Sequence, residues 1–130
     1  MHDVISTDDH VQEPPDLWTS RLSKIQFGDR IPHIERDADG TERWVVDGRV
    51  LLDGHVARAG GLMPDCNQEP RQWSDVPAAA YLPAERLKAM DAIGIRYSVL
   101  FPSVAGSAGE AFGPIQDPDA AVVSLLAVAR

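Results

Sequence analysis

Asp8 and His10 are the residues of this chain whose types and spacing offer chemistry. They follow the apolar and β-branched run Val4, Ile5 and Thr7 and precede the pair Pro14-Pro15. The run predicts a short buried strand, and two consecutive prolines forbid that strand to continue. Side chains two apart in a strand point to one face, so a carboxylate and an imidazole would lie side by side at a strand end. Both are ligands for a divalent cation such as zinc. One strand supplies only half of a metal site. Without a metal, the same two residues would be ordinary strand-end groups that satisfy backbone donors.

The other reactive residue types stand alone. His33 and His55 have no partner at ligand spacing and read as surface histidines, and His2 lies at the terminus. Cys66 has no histidine close in sequence and gives no case for a nucleophile.

The elements that must position Asp8 and His10 follow from the rest of the chain. Asp16 is a plausible cap for a short turn in which Trp18 and Leu22, four apart, share a face; packing is its simplest role. Residues 31–53 read as a small β-meander inserted after the first strand. Asp37, Asp39-Gly40 and Asp47-Gly48 supply its turns, because Asp-Gly between apolar runs is a strong hairpin signal. Residues 54–81 have no clear period and hold Gly60-Gly61, Pro64, Pro70 and Pro77, which predicts a long loop. Arg58, Arg71 and Trp73 are its candidates for lining a substrate mouth.

Pro83 at a helix start, a stripe of Leu87, Met90 and Ile93, and a terminating Gly94 predict an amphipathic helix. Residues 95–101 then read as a second strand, with Val99, Leu100 and Phe101 apolar on both faces as in a covered parallel sheet. Residues 103–113 are rich in small residues and read as a flexible site rim; they match no phosphate-binding fingerprint. Asp117-Pro118 opens a further helix, with Val122, Leu125, Leu126 and Ala129 at helical spacing. A strand, a helix and a second strand imply α/β architecture with parallel pairing. Two strands fall short of any closed sheet, and the last helix reaches Arg130 without a stop signal. The chain therefore reads as the front of a larger protein, truncated at its C-terminus.

Composition sets the outer bounds. The chain has 130 residues, the length of one ordinary domain, with 44% hydrophobic and 25% charged residues. A net charge of −8 argues against nucleic acid and against a polybasic membrane patch. No apolar run approaches the roughly 18–20 residues of a membrane span, and Met1-His2-Asp3 does not open a signal peptide. One cysteine leaves no internal disulfide, which fits a reducing compartment. The expectation is a soluble, acidic, cytoplasmic protein.

The segment Asp8-Asp9-His10-Val11-Gln12-Glu13-Pro14-Pro15-Asp16-Leu17-Trp18 resembles the opening of the amidohydrolase-related family, metal-dependent barrel enzymes similar to aminocarboxymuconate-semialdehyde decarboxylase. The run from Pro83 to Ile95, followed by Val99-Leu100-Phe101-Pro102, is similar to that family's first helix and second strand. The resemblance spans nearly all of this chain but only about the first third of a family barrel. It implies the N-terminal part of a (β/α)8 TIM barrel. It further implies Asp8 and His10 as metal ligands, Glu13 as a supporting hydrogen-bond partner, and zinc as the metal, with manganese second. The remaining ligands and the catalytic residues would lie past Arg130, so this chain alone would be inactive. The implied activity is hydrolysis of a small-molecule substrate by a metal-activated water, and the family allows a homo-oligomer. Two alternatives accompany it: non-oxidative decarboxylation or hydration of an aromatic or unsaturated acid, and a catalytically incomplete, non-enzymatic fragment.

Overall fold

A computed structural model of the chain describes residues 3–59, 62, 63, 65, 68–106, 110–113, 115, 118–121 and 124. The regular elements are β1 (Val4–Val11), α1 (Lys24–Phe27), β2 (His33–Arg36), β3 (Glu42–Val46), β4 (Arg49–Val50), α2 (Pro83–Ile93) and β5 (Ile95–Pro102). Short 3-10 turns at Leu52–Gly54, Trp73–Asp75 and Ala78–Ala80 punctuate the connection from β4 to α2.

The strands form two separate sheets. β1 and β5 pair in parallel, and β2, β3 and β4 form an antiparallel sheet of their own. This corrects the expectation of a TIM barrel. A helix between two strands does bring them parallel, but a barrel requires a closed ring of strands, and the parallel sheet here has two among the described residues.

The antiparallel sheet is built by local turn chemistry. Asp47 and Gly48, at φ 50° and 71°, form the left-handed pair that a two-residue hairpin between β3 and β4 requires. Between β2 and β3, the Asp37 N–H donates to the Thr41 carbonyl and Gly40 turns at φ 83°.

Most of the buried core lies against this sheet. Trp18, on the turn after Pro15, packs edge-on against Trp44 of β3 and against Phe112, with ring centroids 5.2 and 5.7 Å apart. Each indole N–H is satisfied as burial demands: Trp18 Nε1 donates to the Ser124 carbonyl at 3.0 Å and Trp44 Nε1 to that of Val56 at 2.9 Å. Residues 54–81, expected as a loop without period, carry a second small cluster made by Val56, Ala57, Ala59, Val76 and Ala80.

The β1–α2–β5 unit is the opposite case. α2 begins at Pro83 and stops at Gly94, whose φ of 75° is the left-handed cap expected from the sequence. Its apolar stripe is nevertheless open, with Leu87 60% and Ile93 70% exposed and no buried residue on the helix. Val4, Ile5, Val99 and Leu100 are exposed too, so the parallel sheet is not the covered one that its apolar runs suggest. Periodicity tells which face of an element is apolar; it does not tell what covers that face. Residues 103–105, expected as part of a flexible rim, are buried, as is Phe112. Residues 118–121 and 124 are helical. His2, Gly60, Gly61, Pro64, Cys66, Asp117, Val122, Leu125, Leu126, Ala129 and Arg130 lie outside the described residues. Among those described, no helix is long and apolar enough to cross a membrane.

Candidate functional site

β1 is not a regular ladder. Ser6 pairs with Ser98 and Asp9 with Leu100, so three steps along β1 match two along β5. The extra residue is a bulge, which shifts the facing of everything after it by one position. Asp9 consequently shares a face with Ser6 and Ser98. The Ser98 hydroxyl donates to its carboxylate and holds that carboxyl below the usual aspartate range against the opposing effect of burial, with lesser help from Ser6 and the Arg86 charge. Val11, Ser98 and Leu100, on this face, line an apolar groove against Leu87 and Met90 of α2.

The other face carries the pair predicted from the sequence. Asp8 Oδ1 lies 3.9 Å from His10 Nε2, and the imidazole sits against Phe101 with centroids 6.3 Å apart. Both side chains reach solvent, at 86% and 45% exposure. They open onto a cleft of about 300 Å³ that Asp9, Gln12, Arg58, Ala80 and Arg86 also line. Asp8 and His10 thus approach each other at the end of the strand, and Asp9 between them borders the same cleft, as the irregular backbone after Ser6 allows.

Several hydrogen bonds fix the cleft walls. The Gln12 N–H donates to the Ala80 carbonyl at 2.9 Å, and the Arg58 N–H donates to Gln12 Oε1 at 3.3 Å. Arg86, reaching up from α2, donates from Nη2 to the His10 carbonyl at 2.6 Å and to the Ala80 carbonyl at 3.3 Å. The Arg58 guanidinium pairs with the Asp53 carboxylate. Gln12 Nε2 is buried without a partner among the described residues.

Glu13 turns away from the cleft. Its Oε2 accepts from the backbone N–H groups of Ser103 and Val104 at 3.1 and 2.9 Å, and its Oε1 from that of Ala105 at 3.0 Å. Burial pushes this carboxyl above the usual glutamate range, while the backbone donors pull the other way. One side chain so ties the segment following β1 to the segment following β5, which is why residues 103–105 are packed rather than loose.

The three candidates for a substrate mouth separate. Arg58 lines the cleft. Arg71 instead donates to Asp39 and Thr41 beside the antiparallel sheet, and Trp73 donates its backbone N–H to Glu42 and packs its ring on Tyr81. His33 bonds the Ile31 carbonyl and Glu35, away from the cleft. Sequence reasoning missed Gln12 and Arg86. Gln12 was detectable, being two residues past His10 on the same alternation; Arg86 was hidden among the polar residues of a helix.

A carboxylate and an imidazole suit zinc by donor type, and a site richer in oxygen would suit manganese. The number of donors is incomplete: among the described residues no group of three His, Cys, Asp or Glu side chains converges to hold a metal. No protein-family model matches this chain, and no curated protein matches it either.

Proposed function

We propose that this chain takes part in divalent-metal-dependent hydrolysis of a small-molecule substrate, with Asp8 and His10 as two of the metal donors. The approach of Asp8 Oδ1 to His10 Nε2, 3.9 Å on an open strand face beside a cleft, carries this reading. Zinc is the first choice and manganese the second; the remaining donors come from outside the described residues. Such an ion, when bound, polarises a substrate oxygen or lowers the pKa of a bound water. This chain's own part is to hold and orient. Because Asp8 and His10 are both solvent-reachable, neither needs to be uncovered before it takes up an ion. Gln12 and Arg86 keep the strand end and the Ala80 segment in one arrangement, and Arg58 adds a cation to the cleft wall. The opening motif through Glu13-Pro14 supports the same chemistry by its resemblance to amidohydrolase-related enzymes, and the single cysteine supports a cytoplasmic setting.

The test is calorimetric titration of zinc into the wild type and into Asp8→Asn and His10→Gln, with esters, amides and lactones then offered to the zinc-loaded protein. Zinc binding that weakens about tenfold or more in each variant is the expected result, with zinc-dependent hydrolysis expected only where the remaining donors and catalytic residues are also supplied. Equal zinc affinity in all three proteins overturns the reading. Carbon dioxide release without hydrolysis reassigns the reaction to decarboxylation.

A further inference from the structure

Arg86, which the proposed function credits only with holding two segments together, also meets the strand at the residue that carries the imidazole. It sits on α2, yet its guanidinium leaves the helix to meet the end of β1, donating from Nη2 to the carbonyl of His10 at 2.6 Å and to that of Ala80 at 3.3 Å. The Ala80 carbonyl also accepts the Gln12 N–H at 2.9 Å. One cation and one carbonyl therefore join three segments: the strand end that carries His10, the 3-10 turn at Ala78–Ala80, and the helix.

This junction lies on the short last run of the strand, beyond the bulge. The bulge between Ser6 and Asp9 interrupts the ladder just ahead of His10, and after it only Asp9, His10 and Val11 pair with β5 before the strand ends. A run of three paired residues beside a bulge takes part of its orientation from contacts outside the ladder. The carbonyl of His10 has such a contact in a charge-assisted bond, which is stronger than a neutral one.

We infer that Arg86 is a positioning residue for the Asp8–His10 pair: its guanidinium spans the His10 and Ala80 carbonyls and sets the angle at which the imidazole faces the carboxylate. This rests on the reading of that pair as metal donors. Both bonds come from Nη2, whose two N–H directions are fixed by the guanidinium plane, whereas a lysine ammonium is a point charge on a mobile stem. The stem of Arg86 runs along the apolar groove beside Leu82, Leu87 and Met90, so methionine can keep that packing while removing both bonds.

The experiment uses the full chain as wild type, Arg86→Met and Arg86→Lys, with circular dichroism to confirm the fold. Zinc affinity is measured by calorimetry, and paramagnetic Co²⁺ is titrated while the Asp8 and His10 resonances are followed by NMR. In the wild type both resonances broaden together. Arg86→Met is expected to weaken zinc binding about tenfold with unchanged circular dichroism, and to separate the broadening of the two residues. Arg86→Lys is expected to fall between the two. Wild-type affinity in folded Arg86→Met overturns the inference, even if its melting temperature drops, because that result describes a purely structural residue. Should the methionine variant not fold, wild-type affinity in the lysine variant overturns it equally. No zinc binding by the wild type removes the metal reading itself, and the inference with it.

Discussion

Trp44 and Leu87 are both large apolar residues on regular elements, yet Trp44 is fully buried and Leu87 is 60% exposed. The contrast runs through the molecule. Around the antiparallel sheet, three aromatic rings interlock and both indole N–H groups find carbonyls. In the β1–α2–β5 unit Val4, Ile5, Leu87, Ile93, Val99 and Leu100 are exposed, on strand and helix alike. The region with the shortest strands thus holds the core, and the region with the longest elements holds the candidate site. Regions with few buried apolar contacts open most readily, and binding segments are commonly drawn from them. Asp8, His10 and Arg86 lie on such a region, tied to the better-packed one by Gln12 and Glu13.

The largest test of this contrast pairs two truncations. Trp44→Ala removes a wholly buried ring and leaves the Val56 carbonyl without its donor, and should cost about 3–5 kcal/mol. Leu87→Ala on α2 should stay within about 0.5 kcal/mol. Urea denaturation measures both, and comparable losses would show that the two regions are equally packed. Glu13→Leu probes the tie between them. It strands three buried backbone donors and should cost about 2 kcal/mol, with faster hydrogen exchange concentrated at amides 103–105. Exchange unchanged at those amides would mean that Glu13 does not hold the segment.

The smallest effect is a difference in pH dependence. The Trp73 backbone N–H, and after it Arg36, hold the Glu42 carboxyl below its usual value, so its contribution to stability is present above the unfolded pKa and lost as pH falls through the folded one. Burial raises the Glu13 carboxyl, so its contribution is present below the unfolded pKa and lost as pH rises through the folded one. In urea midpoints followed across the acid range, Glu42→Gln should flatten the low-pH limb and Glu13→Gln the slope above it. Slopes identical to the wild type in both variants would contradict these assignments.

What is legible in the sequence is what neighbouring residues decide among themselves. The left-handed turn at Asp47-Gly48, the helix start at Pro83 and its stop at Gly94 need no distant partner, and each stands where its residue type places it. The approach of Asp8 to His10 is of the same kind. Long-range relations are not legible in this way. Nothing in residues 103–105 announces that a carboxylate ninety positions earlier will collect their N–H groups. An apolar stripe at Leu87, Met90 and Ile93 looks the same whether or not anything packs on it. The barrel expectation failed for that reason: the order of elements fits several architectures, and only the pairing of strands separates them.

The extra residue between Ser6 and Asp9 makes the orientation of the pair a matter of odd and even. Were β1 to continue from the Ser6–Ser98 pair without the bulge, Asp8 would fall opposite Leu100 and His10 opposite Pro102, on the side occupied by Ser98 and the helix. Their chemistry would survive intact but open onto an oily wall instead of a polar recess. The way one extra residue is taken up, as a local bulge rather than as a slip of the whole ladder, thus decides which solvent space the acid and the imidazole address.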